Sequence, residues 1–289
     1  MNKKSEKERV TINIDSGVLK AIDTKVDGHT IRNRSHAIEH LVRKAIKNHS
    51  LSTAFILVGG KGTRLRPITD KTPKPMIEVK GKPILEYVIE LLGKYEIKNT
   101  VMALGYKGEQ IKEYFGDGEK YGTNIEYVTE KEPLGTGGPL RLAKKLLVEE
   151  FLMFNGDNLT NINLNDMYSF HKKNNAYATI ALCSVKEPEN FGVIEMEGNQ
   201  IKKFVEKPSN PKSNLINSGA YILKPEVIDM IPKGFSLIEK DVFPKLSEQG
   251  KLYGYVYNGQ WFPTDTMERY EKAEAEWKGF WSSLFIQQT

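Results

Sequence analysis

The stretch LVGGKGTRLRP at residues 57–67, followed by TPKPM at residues 72–76, gives the strongest indication of the fold in this sequence. It continues the apolar run 54–58, which is typical of a buried strand. Glycine has no Cβ and tolerates positive φ, so a loop with three glycines lets successive N–H groups surround an anion. Arg64 adds a planar fork of donors for phosphate oxygens, and Lys74 adds a point charge. The stretch therefore predicts a strand followed by a cradle for a triphosphate.

Two other kinds of glycine loop do not fit this stretch. A phosphate loop of the Walker type ends in Gly-Lys-Ser or Gly-Lys-Thr, and neither follows Gly62. A dinucleotide fingerprint needs G-x-G-x-x-G, but Leu65 stands at its last position. A single glycine loop is often an ordinary turn, whereas the full string GGxGTRLxP with PKPM behind it is far more specific.

Strand-like and helical patterns alternate after the glycine loop. Short apolar runs at 100–104, 125–128 and 151–154 predict strands, and the patterns at 108–115 and 138–147 predict helices. Such alternation indicates an α/β fold with a Rossmann-like, mostly parallel mixed sheet and helices on both faces. Ligands of such sheets bind beyond the carboxyl ends of the strands. The motifs of this chain follow predicted strands, so we expect them to meet at one edge.

Together the motifs resemble the sugar-1-phosphate nucleotidyltransferases, over about residues 53–275. The resemblance implies an enzyme that joins a nucleoside triphosphate to a sugar-1-phosphate and releases pyrophosphate, with Mg²⁺ as cofactor. The nucleotide-binding residues that it implies are Gly59, Gly60, Gly62, Thr63, Arg64, Lys74, Glu130 and Gly135. The sugar-phosphate-binding residues are Tyr106, Asn158, Gly192, Glu206, Lys207 and Asn217. The expected catalytic residues are Arg64, Lys74, Asp157 and Lys207.

Two aspartates are the expected magnesium ligands. Asp157 lies in NGDN at residues 155–158, at the end of a predicted strand, and in the resembled family this G-D motif binds the catalytic magnesium. Many members carry W-x-D near the C terminus, but here Pro263 stands in place of that aspartate. The W-x-P-x-D-T form of residues 261–266 is similar to the glucose-1-phosphate cytidylyltransferases and assigns Asp265 instead. The residue types alone also allow a turn at Asp157 and a helix cap at Asp265.

The identity of the base and of the sugar is ambiguous in the sequence. Residues 134–138 and 235–244 are most similar to hexose- and heptose-1-phosphate guanylyltransferases, whereas 261–266 is similar to cytidylyltransferases. We expect GTP with a hexose- or heptose-1-phosphate. The alternatives are a cytidylyltransferase acting on glucose-1-phosphate, an enzyme for a non-sugar phosphate such as phosphocholine, and a thymidylyl or uridylyl enzyme.

The first 49 residues have their own charge and pattern. Residues 1–50 hold 11 Lys and Arg against 6 Asp and Glu, which equals the net charge of +5 of the whole chain. Alternation over 9–15 predicts a strand, and two helical patterns follow. This order resembles the ribbon-helix-helix repressors, in which two copies pair their strands and the ribbon contacts DNA. The possible DNA contacts are Arg9, Thr11 and Asn13. Dimerisation without DNA binding is one alternative, and a regulator whose large domain only senses nucleotide or sugar phosphate is another.

Length and composition predict a cytoplasmic protein of two domains, 1–49 and a catalytic domain at 53–289. Among the 289 residues Cys183 is the single cysteine, so no internal disulfide forms. No apolar run approaches the roughly 20 residues of a membrane span. The charged first residues have no apolar segment behind them and do not resemble a signal peptide. An aromatic stripe at 277–285 predicts a C-terminal helix docked on the body.

Overall fold

A computed structural model describes residues 10–47 and 51–280, without the side chains of residues 43–47. Internal contacts divide the chain into two compact units, Met1–His49 and Ser50–Thr289. Within the described ranges, no helix is long and apolar enough to cross a membrane.

Residues 10–47 of the first unit form two helices, α1 (Ser16–Asp23) and α2 (Arg34–Lys47). Asp15 begins α1 by accepting hydrogen bonds from the backbone N–H groups of Gly17 and Val18. Residues 10–15, for which the sequence predicts a strand, form none here, because a strand needs a neighbour to pair with and the described chain supplies none. Arg9 lies outside the described residues. The ribbon therefore stays a prediction that requires a second copy.

The second unit is built from short strands and helices in alternation. Its strands are β1 (Thr53–Leu57), β2 (Glu78–Val79), β3 (Lys82–Pro83), β4 (Asn99–Leu104), β5 (Asn124–Thr129), β6 (Phe151–Asn155), β7 (Asn158–Thr160), β8 (Ala178–Ser184), β9 (Gly192–Glu197), β10 (Gln200–Glu206), β11 (Leu215–Leu223), β12 (Leu252–Val256) and β13 (Trp261–Pro263). Its helices are α3 (Ile84–Lys94), α4 (Gly108–Phe115), α5 (Gly138–Leu142), α6 (Leu164–Lys173), α7 (Ile238–Asp241), α8 (Phe243–Glu248) and α9 (Met267–Glu276).

Nine of these strands form one sheet in the order β5-β4-β1-β6-β11-β8-β12-β10-β9. The neighbours β5, β4, β1 and β6 are parallel, and β12 is parallel to β8. Strand β11 runs antiparallel to β6 and β8, and β10 runs antiparallel to β12 and β9. All strands of this sheet except β10 and β11 therefore share one direction, and the predicted mostly parallel mixed sheet is confirmed. Two small ladders, β2–β3 and β7–β13, lie outside it.

The sheet separates two apolar cores. Along β1, Ala54 and Ile56 face one core and Phe55 faces the other, as the period of two in a strand requires. Side chains of α3, α4 and α6 fill the first core, and side chains of α5, α7 and α8 fill the second. Helices therefore cover both faces of the sheet.

Four loops meet where the parallel strands β5, β4, β1 and β6 end. The backbone N–H of Tyr106, after β4, donates to the carbonyl of Gly59, after β1, at 3.1 Å. The N–H of Gly156, after β6, donates to the carbonyl of Leu57 at 2.9 Å. These bonds hold the loops together at the carboxyl edge of the sheet, which is where α/β sheets bind ligands.

Helix α5 is shorter than the sequence predicts. It ends at Leu142 rather than at residue 147. Beyond it the N–H groups of Lys144 and Leu146 donate to carbonyls three residues earlier, which is the spacing of a turn rather than of an α-helix. Ala143 and Leu147 are nevertheless buried. The apolar pattern marked the buried face correctly and the length of the helix wrongly.

The described part of the aromatic C-terminal stripe packs on the second unit. Trp277 is 4% exposed, and its ring centroid lies 5.7 Å from that of Tyr87, 6.2 Å from Phe262 and 5.8 Å from Phe280. The predicted helix does not reach these residues, since α9 ends at Glu276 and Trp277 is extended. The rest of the stripe, within 281–289, lies outside the described residues.

Replacing Trp277 should test this packing. We expect Trp277→Ala to lower the free energy of unfolding by about 3–5 kcal/mol, because it removes a large buried side chain that its neighbours cannot replace. Denaturant unfolding measures the change. Val148→Ala is the control, since Val148 is 74% exposed. A loss below about 1 kcal/mol, which is ordinary for a surface position, would contradict the packing.

His171 on α6 should make stability depend on pH. Its side chain is fully buried, Nδ1 lies 2.8 Å from Thr179 Oγ1, and burial lowers its pKa from 6.5 to about 4. Between these values the unfolded chain binds a proton that the folded chain does not. Stability should therefore fall as pH drops through this window, by up to about 1.4 kcal/mol per pH unit from this group. Urea unfolding of the wild type and of His171→Asn at several pH values isolates the contribution of His171 to the pH dependence of stability. An identical pH slope in the two proteins would contradict it.

Candidate active site

The glycine loop after β1 borders a cavity of about 770 Å³. A Cβ at position 59 would lie 2.6 Å from Glu130 Oε1 and 3.2 Å from the backbone nitrogen of Gly105, which cannot move aside as a side chain can. Gly62 has a φ of +60°, and a Cβ there would lie 2.8 Å from the Thr69 methyl group. The loop therefore requires glycine at both positions. The predicted site residues that line the cavity are Gly59, Gly60, Lys74, Tyr106, Glu130, Gly135 and Asp157.

The remaining predicted residues lie outside the lining of this cavity. They are Gly62, Thr63, Arg64, Asn158, Gly192, Glu206, Lys207, Asn217 and Asp265. Thr63 and Arg64 form a short 3-10 turn with Leu65, whose side chain is buried and anchors the turn to the body. The outer part of the glycine loop is thus fixed in position beside the cavity rather than within it.

A small ladder brings the two predicted magnesium ligands near each other. Strands β7 and β13 pair antiparallel with Asn158 opposite Pro263. Beside this pair, Thr264 Oγ1 donates to the backbone carbonyl of Asp157 at 2.8 Å. Asp265 is the next residue, so both aspartates lie at the same end of the ladder.

Each of the two aspartates is bound by a cation. Lys74 Nζ donates to Asp157 Oδ2 at 2.5 Å, and Lys74 is itself buried. Asp265 accepts from Arg64 through Oδ2 at 2.7 Å and from Arg269 through Oδ1 at 2.8 Å. Burial opposes ionisation of Asp265, but the hydrogen bond from Arg269 and the charges of Arg269, Arg64 and Lys74 hold the pKa of Asp265 below its usual value. Asp265 is therefore a carboxylate near neutral pH.

The alternative role of Asp265 as a helix cap is wrong. The cap of α9 is Thr266, whose side chain accepts from the N–H of Arg269. The Asp265 carboxylate binds the two arginines instead. Arg269 was missed by the sequence analysis, although its i,i+4 spacing from Asp265 is a recognisable signal for an ion pair on a helix. Its guanidinium carbon also lies 4.3 Å from the centroid of the Phe191 ring.

The oxygen atoms near Asp157 fit a magnesium ion. Mg²⁺ is typically held by one or two carboxylates together with substrate phosphates, and it prefers oxygen ligands. Asp157 and Asp265 supply two carboxylates. Asn155, which also lines the cavity, has a buried side-chain oxygen that accepts no hydrogen bond from the described residues. Over the same residues no group of three or more His, Cys, Asp or Glu side chains could hold a metal. The donor set suits a metal shared with substrate.

The second glycine loop, residues 130–138, is held by side-chain hydrogen bonds at its start and in its middle. At its start Glu130 Oε2 accepts from the N–H of Leu134 at 2.8 Å, and burial raises the pKa of Glu130. In its middle Thr136 Oγ1 donates to Glu239 Oε2 at 2.5 Å. Thr136 and Glu239 were not predicted as site residues. This loop lines the same cavity as the first glycine loop.

The predicted sugar-side residues on β9 and β10 lie opposite each other. In this ladder Glu206 is the register partner of Gly192. Lys207 follows with a φ of +48°, which is rare for a residue that has a side chain, and its N–H donates to the Phe191 carbonyl at 3.0 Å. Such strained positions cluster at functional sites.

Strand β11 carries the predicted sugar-binding residue Asn217 and contacts both Asn158 and the segment that carries Asp265. Asn217 Nδ2 donates to the hydroxyl of Tyr221 at 2.8 Å. The backbone carbonyl of Ser218 accepts from Asn158 Nδ2 at 3.3 Å and from Trp261 Nε1 at 2.9 Å. The predicted sugar contacts Asn217 and Asn158 are thus fixed to one strand, together with the segment that leads to Asp265.

The model of the nucleotidyl transferase family matches residues 53–278. The chain belongs to the nucleotidyl transferase family. The predicted family and its α/β fold are therefore confirmed. The match begins after the first 52 residues, so the ribbon-helix-helix resemblance of residues 1–49 stays a prediction.

Two mannose-1-phosphate guanylyltransferases and one solved structure are similar to this chain. Mannose-1-phosphate guanyltransferase beta-A of Xenopus laevis is 42% identical over 214 residues, which are 72% of this chain and 59% of that protein. Mannose-1-phosphate guanylyltransferase of Mycobacterium tuberculosis is 39% identical over 228 residues, which are 77% of this chain and 64% of that protein. This chain therefore spans less than two thirds of either relative. The crystal structure of HddC from Yersinia pseudotuberculosis complexed with GMP-PN has a TM-score of 0.67 at 27% identity, and the match covers 78% of this chain and 99% of that one.

Proposed function

We propose that the second unit transfers a guanylyl group from GTP to a hexose- or heptose-1-phosphate and releases pyrophosphate. The observation that carries this proposal is the convergence of Lys74, Asp157, Arg64 and Asp265 beside a cavity between two glycine loops. The names of the two similar relatives support GTP and make mannose-1-phosphate the first acceptor to test.

The reaction needs no general base. A sugar phosphate is already anionic near neutral pH, and one of its oxygens forms the new bond to the α-phosphorus in line with the bond that breaks. The electron pair of that broken bond leaves with pyrophosphate. Catalysis therefore depends on placing two anions together and on stabilising the charge of the transferring group. Lys207 would bind the sugar phosphate, Glu206 would accept hydrogen bonds from sugar hydroxyls, and Gly192 and Asn217 would contact the hexose.

The triphosphate would be held by the first glycine loop. The N–H groups of Gly59 and Gly60 and the Arg64 guanidinium would bind the β- and γ-phosphates, which become the leaving group. Lys74 would offset the repulsion between the two substrates. Asp157 and Asp265 would hold Mg²⁺, which when bound supplies positive charge at the transferring phosphate.

A pyrophosphate-release assay tests the proposal. ATP, GTP, CTP, UTP and dTTP are each combined with mannose-1-phosphate, glucose-1-phosphate, a heptose-1-phosphate and phosphocholine in saturating Mg²⁺. We expect release with GTP and mannose- or heptose-1-phosphate. Release only with CTP and glucose-1-phosphate would instead support a cytidylyltransferase, which Pro263 and Asp265 favour because they reproduce the W-x-P-x-D-T form of that branch. No release with any pair would contradict the proposal.

We propose further that the first unit joins two copies of the chain. Val10 is 74% exposed and Ile12 58%, and residues 10–14 border a groove that also contains Leu19 and Ile38. A second copy that pairs its residues 10–14 with these would complete the predicted ribbon and cover the apolar side chains. We expect full-length Ile12→Asp to show about half the wild-type mass by light scattering, since a charge would have to be buried at the interface. An unchanged mass would contradict this interface.

DNA binding by the same ribbon is tested with variants that spare the apolar face. Thr11→Ala and Asn13→Ala should leave the mass unchanged. If the ribbon reads base edges, they should abolish selective binding in a gel shift at physiological salt. Wild-type binding that disappears with a modest rise in salt and prefers no sequence would support dimerisation alone.

A further inference from the structure

The ion pairs of the candidate site join groups that the proposed reaction must separate. Asp265, a proposed metal ligand, binds Arg64, a proposed phosphate ligand, at 2.7 Å. Asp157 and Lys74 repeat this arrangement at 2.5 Å. A guanidinium or ammonium that donates to a carboxylate has fewer donors for a phosphate, and the carboxylate oxygen is occupied as well. Each pair therefore competes with the ligands that its two members are proposed to bind.

The two arginines on Asp265 differ in how firmly they are held. The side chain of Arg64 is 60% exposed, whereas that of Arg269 is 22% exposed and lies over the Phe191 ring. Arg269 lies on the first turn of α9, only four residues after Asp265, and donates to its carboxylate at 2.8 Å. Arg64 is therefore the exchangeable partner, and Arg269 keeps the carboxylate oriented when Arg64 leaves.

We propose that Asp265 competes with the triphosphate for Arg64, so that the glycine loop binds a triphosphate tightly only together with a divalent cation that engages the carboxylate. Asp157 acts in the same way on Lys74. This inference rests on the proposed function and adds to it a selection for the cation-bound form of the triphosphate. The site discriminates against a triphosphate that arrives without its cation.

Calorimetric titration of the full-length protein with inorganic triphosphate in EDTA tests the competition. We expect Asp265→Asn to bind this anion on the order of tenfold more tightly than the wild type, because the loss of the carboxylate releases Arg64. The gain should appear although the same variant loses turnover. Asp70→Asn is the matched control, because Asp70 pairs with the neighbouring Arg66 at 3.1 Å and both side chains are exposed. It removes the same charge nearby and should leave the affinity unchanged.

The Arg64→Met background separates release of Arg64 from a general loss of negative charge. There Asp265→Asn should bring no gain, and a gain that persists would overturn the proposal. An unchanged affinity of Asp265→Asn in the native background would overturn it too. Asp157→Asn, which releases Lys74, should shift the affinity in the same direction and serves if Asp265→Asn does not fold.

The probe has neither base nor sugar, so the result is independent of the turnover assay. Normal turnover without the gain in affinity would show that the proposed reaction occurs without the competition. The gain without pyrophosphate release from any substrate pair would show the competition and contradict the proposed function.

Discussion

Asp157→Asn is expected to lower kcat by on the order of 10²–10³-fold in saturating Mg²⁺ and GTP, by analogy with the loss of a single oxyanion-hole donor in other enzymes. Asn keeps the shape of the side chain but removes the charge that would hold the metal and that binds Lys74 at 2.5 Å. Steady-state pyrophosphate release measures the effect. Since the Asp157 side chain is one third exposed, the variant is expected to remain folded.

The control for Asp157→Asn is Asp229→Asn. Asp229 pairs with Lys144 on an exposed surface, so its replacement should leave kcat unchanged. Turnover by Asp157→Asn equal to the wild type would show that the metal assignment is wrong. A loss that extends to Asp229→Asn would point to a general effect of charge.

Lys207→Met is expected to lower kcat/KM for the sugar phosphate by on the order of 10²-fold, with little change in the KM for GTP, because it removes one charge-assisted contact to an anion. Lys207 follows β10 directly after Glu206, in a left-handed conformation in which its N–H donates to the Phe191 carbonyl. Initial rates with each substrate varied in turn separate the two KM values.

Lys203→Met is the matched control for Lys207→Met. Lys203 lies on β10, the strand that Lys207 follows, and its side chain is exposed. Its replacement therefore removes the same charge from a nearby position of the chain. It should leave both KM values unchanged. If Lys207→Met raised the KM for GTP instead of the KM for the sugar phosphate, Lys207 would contact GTP and the assignment would be wrong.

Much of the fold could be predicted because the strands and helices follow from the local spacing of apolar residues. The apolar run into the glycine loop predicted β1, and the alternation behind it predicted the parallel strands and their helices. The position of β11 between β6 and β8 was not predictable, because strand order depends on contacts between distant segments. The end of α5 at Leu142 was missed because burial continues past the helix and an apolar pattern reports burial.

The site was predictable to the extent that its residues lie in specific short motifs. Lys74 and Asp157 could be named from the sequence, but their direct contact across 83 residues could not. Asn155, Arg269 and Glu239 were missed, since asparagine beside glycine is common in turns and charged residues on helices are usually solvated. Their roles depend on packing against Phe191, Thr136 and the cavity wall, which a single sequence does not show.

In the proposed mechanism, the first glycine loop binds the triphosphate while Asp157 and Asp265 share one divalent ion. Crystals soaked with Mn²⁺ and a GTP analogue with a carbon bridge between the α- and β-phosphates test it most directly, because manganese gives an anomalous signal. We expect one manganese peak between the two carboxylates, with the phosphates on the N–H groups of Gly59 and Gly60. A manganese ion away from either aspartate, or a triphosphate bound elsewhere, would contradict it.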